Sequence, residues 1–241
     1  MNDISAFRAE APATEARRAR ILVWDAPVRV AHWLMVISFS GAYLSAESER
    51  WRLLHVTLGY TLAALVLFRI VWGLVGTRHA RFANFVRGPK AAARYLAGLL
   101  RGKPEHYTGH NPAGALAILA LLGLALGVAA SGWALYNELG TDLLEEVHEV
   151  LANLMLALVG LHIAAVLLSS WLHRENLVAA MIDGRKRGTP PEAIRSAWRS
   201  LAVLMLAGVV GFGWLQWQSA PAQGGQPAPS SQARDHGRNH D

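Results

Sequence analysis

Five stretches of the chain, at 28–46, 53–75, 114–136, 144–172 and 197–217, are apolar over about the length a helix needs to cross a hydrocarbon layer of roughly 30 Å. Such a layer holds no water to satisfy backbone N–H and C=O groups, so each stretch is expected to be a helix. A chain carrying five of them is confined to an all-α, membrane-spanning bundle. The first stretch does not read as a cleavable leader, because it carries His32 and lacks a small-residue cleavage site.

The basic residues are distributed unevenly along these spans. Five precede or open the first span, seven lie between 76 and 112, and five between 173 and 195. The intervening loops and the C-terminal tail carry two, none and two. That asymmetry places the N-terminus in the cytoplasm and, with five spans, the C-terminus on the outer side of the membrane. It also accounts for the net charge of +6 without invoking nucleic acid. Trp51, Trp133, Trp171, Trp198, Trp214 and Trp217 fall where span ends meet headgroups. Residues 89–100 read as a short amphipathic helix on the cytoplasmic surface. The tail over 218–241 is rich in Gly, Pro, Ser and Gln and is expected to be disordered.

Four histidines interrupt the apolar stretches: His32, His55, His148 and His162. The last two share one helix, fourteen residues apart. That separation is about 21 Å along the axis, with a return to within about 40° of the same face. One helix therefore offers an imidazole at each of two depths. The assigned orientation puts His55 and His148 on the outer side, and His32 and His162 on the cytoplasmic side. Two depth-matched imidazole pairs are the donor set for two stacked haems, each held from both faces. Intramembrane ionisable groups are costly and mark function; the competing reading is four polar side chains hydrogen-bonded across the bundle. His173 shares a face with His162 and rivals it as partner of His32, but adjoins Arg174 and Glu175 and is expected in headgroups or water. His79, His106 and His110 lie in the basic loop and rank below the four.

The chain has no cysteine. Disulfides, iron–sulfur clusters and the C-x-x-C-H attachment of a c-type haem are therefore excluded, and any haem must be held without a covalent tether. His148-Glu149 begins a zinc-protease signature, but Ala152 stands where its second histidine belongs. Gly59, one turn after His55, either leaves room for a porphyrin or packs against a neighbouring helix. Gly123 and Gly127 read as a helix-packing seam. Arg29 and Arg69 sit near the cytoplasmic ends of their helices and are candidates for the anionic haem propionates; snorkelling to headgroups is the alternative for Arg69. Glu138, Asp142, Glu145 and Glu146 form an acidic outer loop, which either attracts a basic carrier such as a c-type cytochrome or is simply solvated.

These residues carry a family resemblance. The segment from Trp24 through Asp25, Ala26, Pro27, Val28, Arg29, Val30 and Ala31 to His32 and Trp33 resembles the opening of the bacterial cytochrome b561 family. That family includes the cytochrome b subunit of nickel–iron hydrogenases. The run from His55 through Gly59, Arg69 and Trp72 to Gly76 resembles its second helix. Gly109 to Gly114 is similar to the entry of its third, and the His148/His162 spacing to its fourth. The resemblance covers about residues 20–185. It implies two b-type haems ligated by His32, His55, His148 and His162, and electron passage between a quinone and a redox partner.

The expected architecture is thus a four-helix di-haem core plus a fifth C-terminal membrane helix. Its divisions are a flexible cytoplasmic segment over 1–20, the di-haem domain over 21–185, a linker and fifth helix over 186–217, and the external tail. The main functional expectation is a respiratory-type electron wire between quinone and a partner, a quinone oxidoreductase or a subunit of one. A quinone is expected to exchange electrons near one of the haems; the residues leave open which, and the cytoplasmic interface with Arg69, His79, His110 and His173 is the richest in polar groups. A membrane anchor and electron-transfer subunit of a hydrogenase or other dehydrogenase is the alternative. A histidine-based proton relay or transporter is the reading of another class; it would want buried acids among the histidines, and the first three spans hold none.

Overall fold

The computed structural model describes residues 19–102, 105 and 107–219. The order begins with strand β1 (Ala19–Leu22), helix α1 (Ala26–Ser45), a 3-10 turn at Glu49–Trp51 and helix α2 (Arg52–Val75). Short α3 (Phe82–Phe85) and α4 (Pro89–Leu100) lead into the long α5 (Pro112–Tyr136) and α6 (Asp142–His173). Then come α7 (Leu177–Asp183), strand β2 (Arg185–Gly188), a 3-10 turn at Pro190–Glu192 and α8 (Arg199–Gln218). Most of the N-terminal segment expected to be flexible, the C-terminal tail from 220 onward and His106 lie outside the described residues.

Helix starts follow local chemistry. The Asp25 carboxylate caps α1 by accepting from Val28 N at 2.8 Å, with Pro27 in the first turn. Asn111 caps α5 through Gly114 N at 2.7 Å, just before Pro112. Asn176 does the same for α7 through Ala179 N, and α7 ends on left-handed Gly184 (φ 80°).

The molecule is an all-α, multi-span membrane bundle. Four described stretches are long and apolar enough to cross a membrane: Glu49–Val75, Pro112–Tyr136, Asp142–His173 and Arg199–Gln218. The first of the five expected spans, α1, is absent from that set although its 20 residues would reach about 30 Å. Arg29, His32 and the serines at 38, 40 and 45 dilute its hydropathy. Ser45 returns its hydroxyl to the helix's own carbonyls at Gly41 and Ala42 (2.7 and 3.1 Å). α1 is nevertheless integral to the bundle, packed along α2 and α8.

The central core joins Phe39 of α1, Leu62 and Val66 of α2, Leu122 and Ala125 of α5, and Met155 of α6. α6 lies close to α5 and α7 but makes at most sparse backbone approaches to α1 and α2. Only 6% of its most apolar window is buried. α8 lies along α1 and leaves an apolar groove of about 610 Å³ against α2. All six tryptophans expected at span ends are exposed.

One feature departs from the all-helical expectation. β1 and β2 form a two-stranded antiparallel sheet, with Ala19 opposite Gly188 and Leu22 opposite Arg185. Four-residue strands, one of them Arg-Lys-Arg-Gly, carry no apolar alternation from which pairing can be read. The sheet ties the start of the chain to the segment after α7. The divisions drawn at 20/21 and 185/186 therefore fall inside strands.

Candidate functional site

On one side of the central core, His55 of α2 and His148 of α6 face each other with ring centroids 6.3 Å apart and planes 73° apart. Each ring is held through Nδ1. His55 Nδ1 lies 2.8 Å from Ala42 O, so it carries the proton and donates to that carbonyl. His148 Nδ1 lies 2.9 Å from Ser131 Oγ, whose own proton goes to Gly127 O at 2.8 Å. The serine hydroxyl is thereby left as the acceptor for His148. Both Nε2 atoms consequently keep their lone pairs, the tautomer a metal-binding imidazole requires. Gly132 permits this placement: a Cβ there would stand 3.0 Å from His148 Cε1. Ala42, Ser131 and Gly132 had no signal in the sequence, because each acts through its position beside a ring on another helix.

The spacing can be compared with a bound metal. A metal–imidazole bond of about 2 Å on each side, plus the step from nitrogen to ring centre, separates two rings sharing one metal by about 6 Å. Among the described residues, no three His, Cys, Asp or Glu side chains converge as a bare cation would need. His55 and His148 are residues that could hold a haem iron between them. Space is also present: a Cβ on Gly59 would meet no atom within 4 Å. Gly123 is open in the same way, whereas a Cβ on Gly127 would come within 3.3 Å of Leu151 on α6, a packing contact.

On the other side of the core, His32 and His162 lie close enough for charge on one to act on the other. His173 is engaged elsewhere, with Nδ1 2.9 Å from Ser169 O and Nε2 3.4 Å from Glu105 O. Arg69 is 5% exposed, its guanidinium 5.0 Å from the Phe82 ring. Arg29 is committed to backbone carbonyls, donating to Ile182 O and to Asp25 O. His110, placed in a loop by sequence, is half-buried between Trp24 (4.4 Å) and Phe85 (4.6 Å), with its Nδ1 shut off from solvent. Burial, reinforced by the charge of Arg69, pushes its imidazole down to about 3, so the ring is neutral. His79 lies 2.8 Å from Glu192 O, and burial lowers its pKa as well.

Two buried polar groups around this lobe were given no role by the sequence reading. Asp25 is fully buried and accepts from Trp72 Nε1 (3.0 Å) and Thr77 Oγ1 (2.5 Å) in addition to its cap. Lys186 of β2 is buried beside Glu175 at 3.5 Å and donates to Tyr107 O at 3.1 Å. Burial lowers its pKa, and Glu175 opposes that shift.

Comparison with known proteins adds an independent line. A model of the family described as prokaryotic cytochrome b561 matches residues 23–184. An Azotobacter vinelandii protein named "Probable Ni/Fe-hydrogenase B-type cytochrome subunit" is 29% identical over 154 residues, covering 52% of this chain and 64% of its own. A Bradyrhizobium diazoefficiens protein of the same name is 26% identical over 234 residues, covering 77% and 94%. The hydrogenase 1 counterpart in Escherichia coli K12 is 28% identical over 142 residues, covering 48% and 60%. The matched stretch thus spans under two thirds of the first and third relatives. No solved structure matches the chain.

Proposed function

This chain belongs to the prokaryotic cytochrome b561 family, and from that premise we propose that it is the membrane-embedded electron-transfer subunit of a hydrogenase or related dehydrogenase complex. Names shared by its relatives favour that reading over a self-standing quinone oxidoreductase. The observation that carries it is the opposed His55 and His148 pair, each ring anchored at Nδ1 and free at Nε2.

In this reading His55 with His148, and His32 with His162, hold two b-type haems, which when bound supply one-electron redox chemistry. Two imidazole ligands for each haem would favour electron transfer over oxygen chemistry. Ala42 O and Ser131 fix the outer rings' tautomer and direction. Phe39, Leu62, Val66 and Met155 exclude water between the two histidine levels. Arg69 neutralises propionate charge. α1 serves as the fifth span, the N-terminus lies in the cytoplasm, and a quinone exchanges electrons at the cytoplasmic face.

Purification in detergent followed by pyridine haemochrome and reduced-minus-oxidised spectra tests this. Two b-type haems per chain are expected, with one lost in His55→Ala or His148→Ala. Purification from mild detergent extracts should retain a metal-containing dehydrogenase partner. A colourless chain would instead favour the proton-relay reading.

A further inference from the structure

Three buried side-chain polar atoms among the described residues have no hydrogen-bond partner: His32 Nδ1, Arg69 Nη1 and His110 Nδ1. All three border the cytoplasmic histidine level. This coincidence is informative, because buried polar groups in folded proteins are paired with very few exceptions. The outer histidines obey that rule through Ala42 and Ser131.

Arg69 is the costliest of the three. A guanidinium cannot shed its proton, and one that is 5% exposed without a counter-anion is strongly unfavourable. None of the ion pairs among the described residues includes it. Asp25 is near enough to act on it electrostatically, yet its carboxylate accepts from Val28, Trp72 and Thr77. His110 is an electrostatic neighbour of both Arg69 and His162, enclosed between Trp24 and Phe85. A cationic donor beside a neutral N–H donor is a carboxylate-binding set. A quinone carbonyl would satisfy a donor but would leave the guanidinium charge unneutralised.

We propose that Arg69 Nη1 and His110 Nδ1 jointly bind one carboxylate, a propionate of the haem assigned to His32 and His162. This rests on the di-haem reading and adds His110, a residue outside the four ligands, to that haem's site.

The test uses the purified holoprotein and the variants Arg69→Gln, His110→Leu and His110→Gln. Each is titrated spectroelectrochemically, with the inner haem identified as the one lost in His162→Ala. Arg69→Gln should make the inner haem about tenfold harder to reduce, about 59 mV for one electron. His110→Leu should shift the same haem in the same direction, His110→Gln should stay near the wild type, and the outer haem should not move. Reduced-minus-oxidised infrared spectra with 13C-labelled propionate carboxyls should show bands displaced in Arg69→Gln and His110→Leu. If His110→Leu fails to assemble, the infrared bands of Arg69→Gln and the potential of His110→Gln decide. Shifts that follow phosphate in the buffer while the propionate bands stay fixed would assign the site to a free anion and overturn the proposal. Unmoved inner-haem potentials in haem-loaded variants would overturn it too. A wild-type chain without haem would sink the di-haem reading itself, a failure recognisable before any variant is made.

Discussion

An imidazole that binds metal through Nε2 works only if its Nδ1 proton has somewhere to go. At the outer level that acceptor is a backbone carbonyl for His55 and a serine hydroxyl for His148. The serine is oriented because its proton is committed to Gly127 O. Ser131→Ala removes the hydroxyl beside His148 Nδ1 and leaves the carbonyl of Val128 as its remaining acceptor. The loss of such an outer partner costs about 10–100-fold in metal affinity. The expected result is a chain that folds but retains less of one haem, measured as the haem-to-protein ratio after dilution into haem-scavenging apomyoglobin. Ser131→Thr keeps the hydroxyl and should restore most of the retention. Equal retention in all three proteins would show that the His148 contact is incidental.

The spacing of core residues along each helix sets where the two histidine levels stand. Phe39, Leu62 and Met155 each lie seven residues from a histidine of their own helix, at His32, His55 and His148 respectively, and Met155 is also seven from His162. Seven residues are about two turns, so the core falls roughly 10 Å from each histidine and on nearly the same face. This pattern turns three helices into one layered arrangement of ring level, apolar plug and ring level. The helices are registered at one end by Asp25, which caps α1 and also holds Trp72 and Thr77 beside the end of α2. Asp25→Ala removes the cap, about 1 kcal/mol, and strands two donors at about 1–3 kcal/mol each. A loss on the order of 4 kcal/mol is expected, seen as a clear fall in the thermal midpoint in detergent. Asp25→Asn should lose less, since it can still cap the helix.

At the scale of the whole molecule, α1 decides the topology. It is long enough to span but less apolar than the other four, and it packs along α2 and α8. If it spans, the basic loop holding α3 and α4 is cytoplasmic and the end of α8 at Gln218 is periplasmic. Alkaline phosphatase fused after Ser219 should then be active and fused after Gly102 inactive, with a cytoplasm-dependent fluorescent reporter giving the reverse. The N-terminus should behave like the Gly102 site. A phosphatase-active N-terminal fusion would remove α1 from the set of spans.

Hydropathy and helical period are local properties, so the sequence alone determined the long helices to within two residues and a same-face relation between His148 and His162. The family could be recognised from the same residues. Tertiary structure alone decided what lies across a gap: Ser131 and Gly132 beside His148, Ala42 beside His55, and a loop histidine carried inward to the neighbourhood of Arg69. The β1–β2 sheet was also hidden, since four-residue strands signal themselves only by whom they pair with. The reason in each case is the same. A helix is specified by interactions three and four residues apart, whereas these contacts join residues from 13 to more than a hundred positions apart and exist only once the helices have packed.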